Sequence, residues 1–204
     1  MTQTDNGIAI LVEGLSRKFG SFTAVDNLSF DVKEGEIFGF LGANGAGKST
    51  TIRMLVGLLE PSGGRATVGG FDVMKQADLL KANIGYMSQK CSLYDDLTVE
   101  QNIRFFGGIY RLPEDMIKTR LGWVTEMAGL RGKENVLTKT LSGGWKQRLA
   151  LGCAVLHKPR IVFLDEPTSG VDPVSRRKFW KLIGKLSEEK TTVLVTTHYL
   201  DEAE

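Results

Sequence analysis

Residues 37–50 read IFGFLGANGAGKST. The apolar run 37–41 predicts a strand buried on both faces, as in a parallel sheet. Gly42, Ala43, Asn44, Gly45, Ala46, Gly47, Lys48, Ser49 and Thr50 follow, matching G-x-x-x-x-G-K-[ST]. From Ser49 to Leu59, Ile52, Leu55, Val56 and Leu59 fall on one helical face before the PSGG stop. Strand, loop and helix in this order are the context the pattern requires. Glycines let the backbone wrap a phosphate without Cβ clashes. Lys48 can reach terminal phosphates, and the Ser49 hydroxyl can bind Mg²⁺.

Working outward, IVFL (161–164) and TVLVT (192–196) are further apolar runs of the buried-strand kind. The first ends in Asp165 and Glu166. Acids at the C-terminal edge of such a sheet stand where ligands bind in open α/β folds. Asp165 is placed to help hold Mg²⁺, and Glu166, one residue on, to address an attacking water. The second run ends at Thr197-His198, which puts His198 on the same edge, near a γ-phosphate. His157 has no such context and reads as structural. Upstream, Leu28, Phe30 and Val32 alternate with polar residues, predicting a half-buried antiparallel strand. IAILVEGL (8–15) and RATVGG (65–70) are its candidate partners. Pro173–Leu186 opens with proline, as a helix can. Between about residues 93 and 141 the periodicity is helical, through Ile103, Phe105, Phe106, Ile109 and Tyr110, then Ile117, Leu121, Val124 and Met127. Trp145, Leu149, Cys153 and Leu156 form one more apolar stripe. These residues read as core or, if exposed, as a docking surface.

The chain has 204 residues, 42% of them apolar and 25% charged, within the range of one globular domain. Its net charge of +2 gives no long-range pull toward nucleic acid or acidic membranes. No apolar run approaches the roughly 18–20 residues that cross a bilayer. Cys91 and Cys153 lack metal or redox spacing and read as free thiols.

A second glycine turn stands in TLSGGWKQRLALG (140–152). Ser142-Gly143-Gly144 opens a helix there, a natural anion site with Ser142 placed to cap it. The first loop already holds its own triphosphate, so a second cradle needs another. The economical source is a second copy of the domain, each nucleotide closed between one copy's loop and the other's Ser142 turn. A plain helix cap is the competing reading.

With LSGG followed by Gln147 and Arg148, the set resembles the ATPase domain of an ABC transporter, from about Ile8 to the last residue. Phe19 resembles the family's adenine-stacking aromatic, Gly42–Thr50 the Walker A loop, and Gln89 the glutamine that senses Mg²⁺ and the membrane subunit. Leu141–Gln147 resembles the signature, Asp165 and Glu166 the Walker B pair, Ser169–Asp172 the D-loop, and His198 the switch histidine. The implied fold is α/β: a P-loop NTPase (RecA-like) core with a β layer (8–88 and 158–204) and an inserted α-helical subdomain (about 89–157). Gln89 joins Ser49 and Asp165 near the metal, and Asp172 and Gln147 join the nucleotide set. The resemblance implies ATP and Mg²⁺, hydrolysis, a sandwich of two copies, and a separate integral membrane permease at the cytoplasmic face. LYDDLTVEQNIRFFGGIY (93–110) with VDPVSRRKFW (171–180) looks like the branch exporting drugs, lipids or polysaccharides. Two departures stand out: Phe19 where tyrosine is commoner, and Trp145 after the signature glycines. The family's domain continues past the histidine, so a truncated chain of reduced stability and weak hydrolysis is expected. Rival readings are a non-transport ABC ATPase, a kinase or GTPase, and an ATP-binding regulatory module. Ribosomal ABC forms carry two domains, chromosomal forms need a long coiled coil between the loops, and N-K-x-D is absent.

Overall fold

The computed structural model describes residues 7–89 and 93–197. In chain order the first half holds β1 (Ile8–Phe19), β2 (Phe22–Lys33), β3 (Ile37–Leu41), α1 (Lys48–Leu55), β4 (Gly63–Val68), β5 (Phe71–Asp72), α2 (Ala77–Asn83) and β6 (Ile84–Met87). The second holds α3 (Val99–Ile109), α4 (Glu114–Ala128), a 3₁₀ turn (Thr138–Thr140), α5 (Gly143–Ala154), β7 (Ile161–Asp165), α6 (Pro173–Glu188) and β8 (Thr192–Thr197). Two four-stranded sheets result. One is antiparallel, ordered β2-β1-β4-β5, and the other parallel, ordered β3-β8-β7-β6.

Of the two expected partners of β2, β1 pairs with it, whereas β4 pairs with the other side of β1 and does not touch β2's ladder. β7 and β8 are buried along their whole length, as expected of central parallel strands. β3 is not. It lies at the edge of its sheet among the described residues, and Ile37 and Leu41 are about 40% exposed (39% and 42%). Its phenylalanines face inward instead, with Phe38 stacked on Phe30 of β2 at 5.1 Å. The fourth parallel strand, β6, has no signal of its own in the sequence. It is four residues long and contains Gly85, where a Cβ would run into the Ala154 carbonyl. α1 ends at Leu55 rather than Leu59, because Gly57 turns the chain with φ +70°.

Three apolar clusters hold these layers together. Ile10, Leu15, Ile52, Leu55, Phe163 and Leu194 fill the space between the two sheets around α1. On the other face of the parallel sheet, Val162, Leu164 and Val195 meet Phe179 and Ile183 of α6 and Leu151 of α5. The helical insertion has its own core of Val99, Ile103, Val124, Leu130, Leu149 and Leu156. Trp145 and Cys153 pack into this third cluster, so the α5 stripe is core. Phe105 and Ile109 remain exposed. The ends of the insertion are clasped. Thr138 N–H donates to Leu97 O (2.9 Å), Val99 N–H to Val136 O (3.1 Å), and the fully buried Asn102 amide to Tyr94 O and Thr138 Oγ1 (both 2.9 Å).

Candidate nucleotide site

The loop between β3 and α1 is built on left-handed glycines, Gly45 at φ +85° and Gly47 at φ +83°. A Cβ on Gly47 would collide with the Ala24 carbonyl of β2, so the β layer presses directly on the loop. Lys48 is 4% exposed, and its ammonium folds back into the loop. It donates to Gly42 O (2.6 Å) and Ala43 O (3.1 Å) and lies 3.4 Å from Glu166 Oε1. Thr51, one position beyond Thr50, donates its hydroxyl to Gly47 O at 3.0 Å and ties α1 to the turn.

β7 delivers the two acids to the same place. The Ser49 hydroxyl donates to Asp165 Oδ1 at 2.8 Å. Gln89, beyond the end of β6, donates its amide to Glu166 Oε2 at 3.0 Å. Glu166 is 7% exposed and adopts φ +46°, an uncommon backbone for a residue with a Cβ. Its N–H donates to both Oγ1 and O of Thr196, at 2.9 and 3.2 Å. Thr196 in turn donates its hydroxyl to Asp165 Oδ1 at 2.9 Å. Burial, then the charge of Asp165, pushes the Tyr86 phenol upward on the neighbouring strand.

Lys48, Ser49, Gln89, Asp165 and Glu166 are thus assembled at one sheet edge. His198 lies outside the described residues. Phe19 ends β1 with an exposed ring, and the Arg17 guanidinium covers it at 4.6 Å from the centroid. Ser142 occupies the N-cap position of α5 but makes no side-chain cap hydrogen bond, contrary to the capping expectation. Gly143 is exposed beside it, whereas Gly144 is buried. Any Cβ at Gly144 would meet the Ser175 side chain in the first turn of α6. Gln147 is half-buried, and its Oε1 has no hydrogen-bond partner among the described residues. Asp172 caps α6, accepting from Val174 N–H (3.1 Å) and Ser175 N–H (2.9 Å). The Ser175 backbone and hydroxyl hold its carboxyl below the usual range. Trp145 turns inward under the Lys133 ammonium, 4.9 Å from its ring.

The donor set suits Mg²⁺: a hydroxyl and a carboxylate, all oxygen, on adjacent elements. Among the described residues no group of three His, Cys, Asp or Glu side chains could enclose a metal. Thr196 was not legible as a site residue. It is one hydroxyl in an apolar run, and only the register of two parallel strands sets it opposite Asp165.

These features define a P-loop nucleotide site on an α/β sheet. The chain belongs to the ABC transporter family, whose model matches residues 25–169. A second model, described as an AAA domain, putative AbiEii toxin, matches residues 144–200. The chain is 50% identical to the probable multidrug ABC transporter ATP-binding protein YbhF of Escherichia coli K12, over 98% of this chain and 35% of that protein. It is 41% identical to the linearmycin resistance ATP-binding protein LnrL of Bacillus subtilis, over 94% and 62% respectively. It is also 41% identical to the Nod factor export ATP-binding protein I of Rhizobium leguminosarum, over 97% and 63%. The chain therefore spans about a third of YbhF and under two thirds of the other two. Among solved structures, cbiO1 of Clostridium perfringens, part of the ABC transporter complex cbiONQ, superposes with a TM-score of 0.86 at 30% identity. That match covers 96% of this chain and 80% of cbiO1. A nucleotide-free ATP-binding cassette superposes with 0.85 at 25% identity, covering 96% and 83%.

Proposed function

We propose that this chain binds and hydrolyses Mg·ATP and, by closing against a second copy, drives a separate membrane subunit, in the export direction. The observation that carries the reading is the convergence of Lys48, Ser49, Asp165, Glu166 and Gln89 in one set of side-chain contacts at the loop. Adenine stacks on the face of Phe19 left open by Arg17. The loop 42–50 wraps the phosphates, and Lys48 turns from its own carbonyls to the terminal phosphate oxygens. Ser49 and Asp165 hold Mg²⁺, which supplies neutralisation of phosphate charge when bound. Glu166, oriented by Gln89, takes a proton from water. The water oxygen bonds to the γ-phosphorus while its bond to the bridging oxygen breaks, leaving ADP and phosphate. His198 supports the γ-phosphate.

The Ser142 hydroxyl, which caps nothing among the described residues, and the exposed Gly143 suit a second copy's nucleotide. Asp172 and Gln147 complete that contact in the closed pair. Loss of the phosphate removes the differential affinity that holds the pair closed. The relative named for Nod factor export supports the direction. Tyr94, Phe105 and Ile109, each over 40% exposed, offer the apolar contact for the membrane subunit, with the chain peripheral at the cytoplasmic face. Among the described residues no helix is long and apolar enough to cross a membrane.

The test is sedimentation of Glu166→Gln with and without Mg·ATP. A shift from one copy to two supports the sandwich, and no shift overturns it. In the same preparation turnover falls by about a hundredfold or more, the range for losing a general base. Near-normal turnover removes Glu166 from that role.

A further inference from the structure

We propose that Thr196 is the positioning residue that sets both acids of the site, through a hydroxyl shared between the Asp165 carboxylate and the Glu166 backbone. The inference rests on the roles given above to Asp165 and Glu166. Parallel pairing of β7 and β8 puts Thr196 directly across from Asp165. Thr196 is fully buried, so water does not compete for its hydroxyl. Its Oγ1 is 2.9 Å from Asp165 Oδ1 and 2.9 Å from Glu166 N.

The polarity of this pair of bonds is forced. A backbone N–H can only donate, so Oγ1 accepts from Glu166. An ionised carboxylate can only accept, so the hydroxyl proton goes to Asp165. Asp165 Oδ1 receives the Ser49 hydroxyl as well, at 2.8 Å. A chain of oxygens therefore runs from Ser49 through Asp165 and Thr196 to the backbone of Glu166. The left-handed backbone of Glu166 is the part most in need of such support. A non-glycine residue keeps φ +46° only where its surroundings over-determine it. Turning that residue is what sends its carboxylate to Gln89 and Lys48 instead of along the strand. Without the hydroxyl, Glu166 N–H loses its shorter bond and retains the 3.2 Å bond to the Thr196 carbonyl, and Asp165 Oδ1 loses one of the two hydroxyls it accepts from.

Thr196→Val preserves shape and removes the hydroxyl, and Thr196→Ser does the reverse. In steady-state ATPase assays of the full chain, Thr196→Val lowers kcat by about tenfold with KM changed less than about threefold, the pattern of lost transition-state stabilisation. Thr196→Ser keeps kcat within about threefold of the parent. A second readout is independent of turnover. The Mg²⁺ concentration giving half-maximal binding of fluorescent ATP rises about threefold or more in Thr196→Val and stays unchanged in Thr196→Ser, as expected when a carboxylate ligand loses the donor that orients it. A purely packing role would lower the melting temperature and leave both readouts in place. If the valine variant does not fold, Thr196→Ala against Thr196→Ser repeats the comparison of hydroxyl absent and present. Parent-like kcat and Mg²⁺ dependence in the hydroxyl-free variants, or equal defects in the serine variant, overturn the proposal. Glu166→Gln is assayed alongside. If it retains turnover, the reading of the acids fails. If it is inactive while Thr196→Val is normal, only the role of Thr196 fails.

Discussion

Glu166 and His157 show how position decides what an ionisable side chain does. Glu166 is oriented by Gln89, Lys48 and Thr196 at once. His157, beyond the end of α5, is used structurally. Its ring stacks on Tyr110 at 3.7 Å, and its Nε2 lies 3.1 Å from Ile84 O. Burial, reinforced by the Arg120 charge, pushes its pKa down to about 4 despite the Ile84 bond. The unfolded value is about 6.5, so between the two the unfolded chain binds the extra proton. The stability that His157 confers is therefore complete above about pH 6.5 and drains away toward pH 4. His157→Gln will show a shallower fall in urea midpoint across that window than the parent. Equal slopes would mean the ring does not titrate there. The structural reading of His157, and the candidacy of Lys48, Ser49 and the acid pair, could be drawn from the sequence because each depends on a few neighbouring residues. That of Thr196 could not, because its partners lie 30 and 31 residues away on another strand.

At the scale of elements, the legible parts are those with an internal period or cap. α6 announces itself by Pro173 at its start, and the β2 alternation marks its half-buried face. β6 and the exposure of β3 could not be read, since both follow from who lies alongside. The same holds for Gly144. Its glycine pair suggests an anion turn, yet the second glycine is also required by the contact of α5 with α6. Gly144→Ala should lower the melting temperature, because Ser175 sits where the methyl must go. Adding Ser175→Gly should recover most of that loss, less the roughly 0.5–1 kcal/mol cost of glycine within a helix. Strict additivity of the two changes would show that they do not touch. The pair also sets the Ser142–Gly144 turn directly against the first turn of α6.

In the whole molecule α5 is the common member of two cores. Leu151 faces the parallel sheet and Leu149 the helical insertion. Leu149→Ala, at a fully buried position, should cost about 2–5 kcal/mol. Because the helix is shared, the loss should appear in one cooperative transition. Two separated transitions would show that insertion and core unfold independently. Lys48 folds back onto its own loop before any nucleotide arrives. A buried ammonium with no counterpart is penalised by several kcal/mol, but this one is already satisfied by two carbonyls and a carboxylate. Nucleotide entry is then an exchange of partners rather than the filling of a charged void. Affinity becomes the small difference between two bonded arrangements.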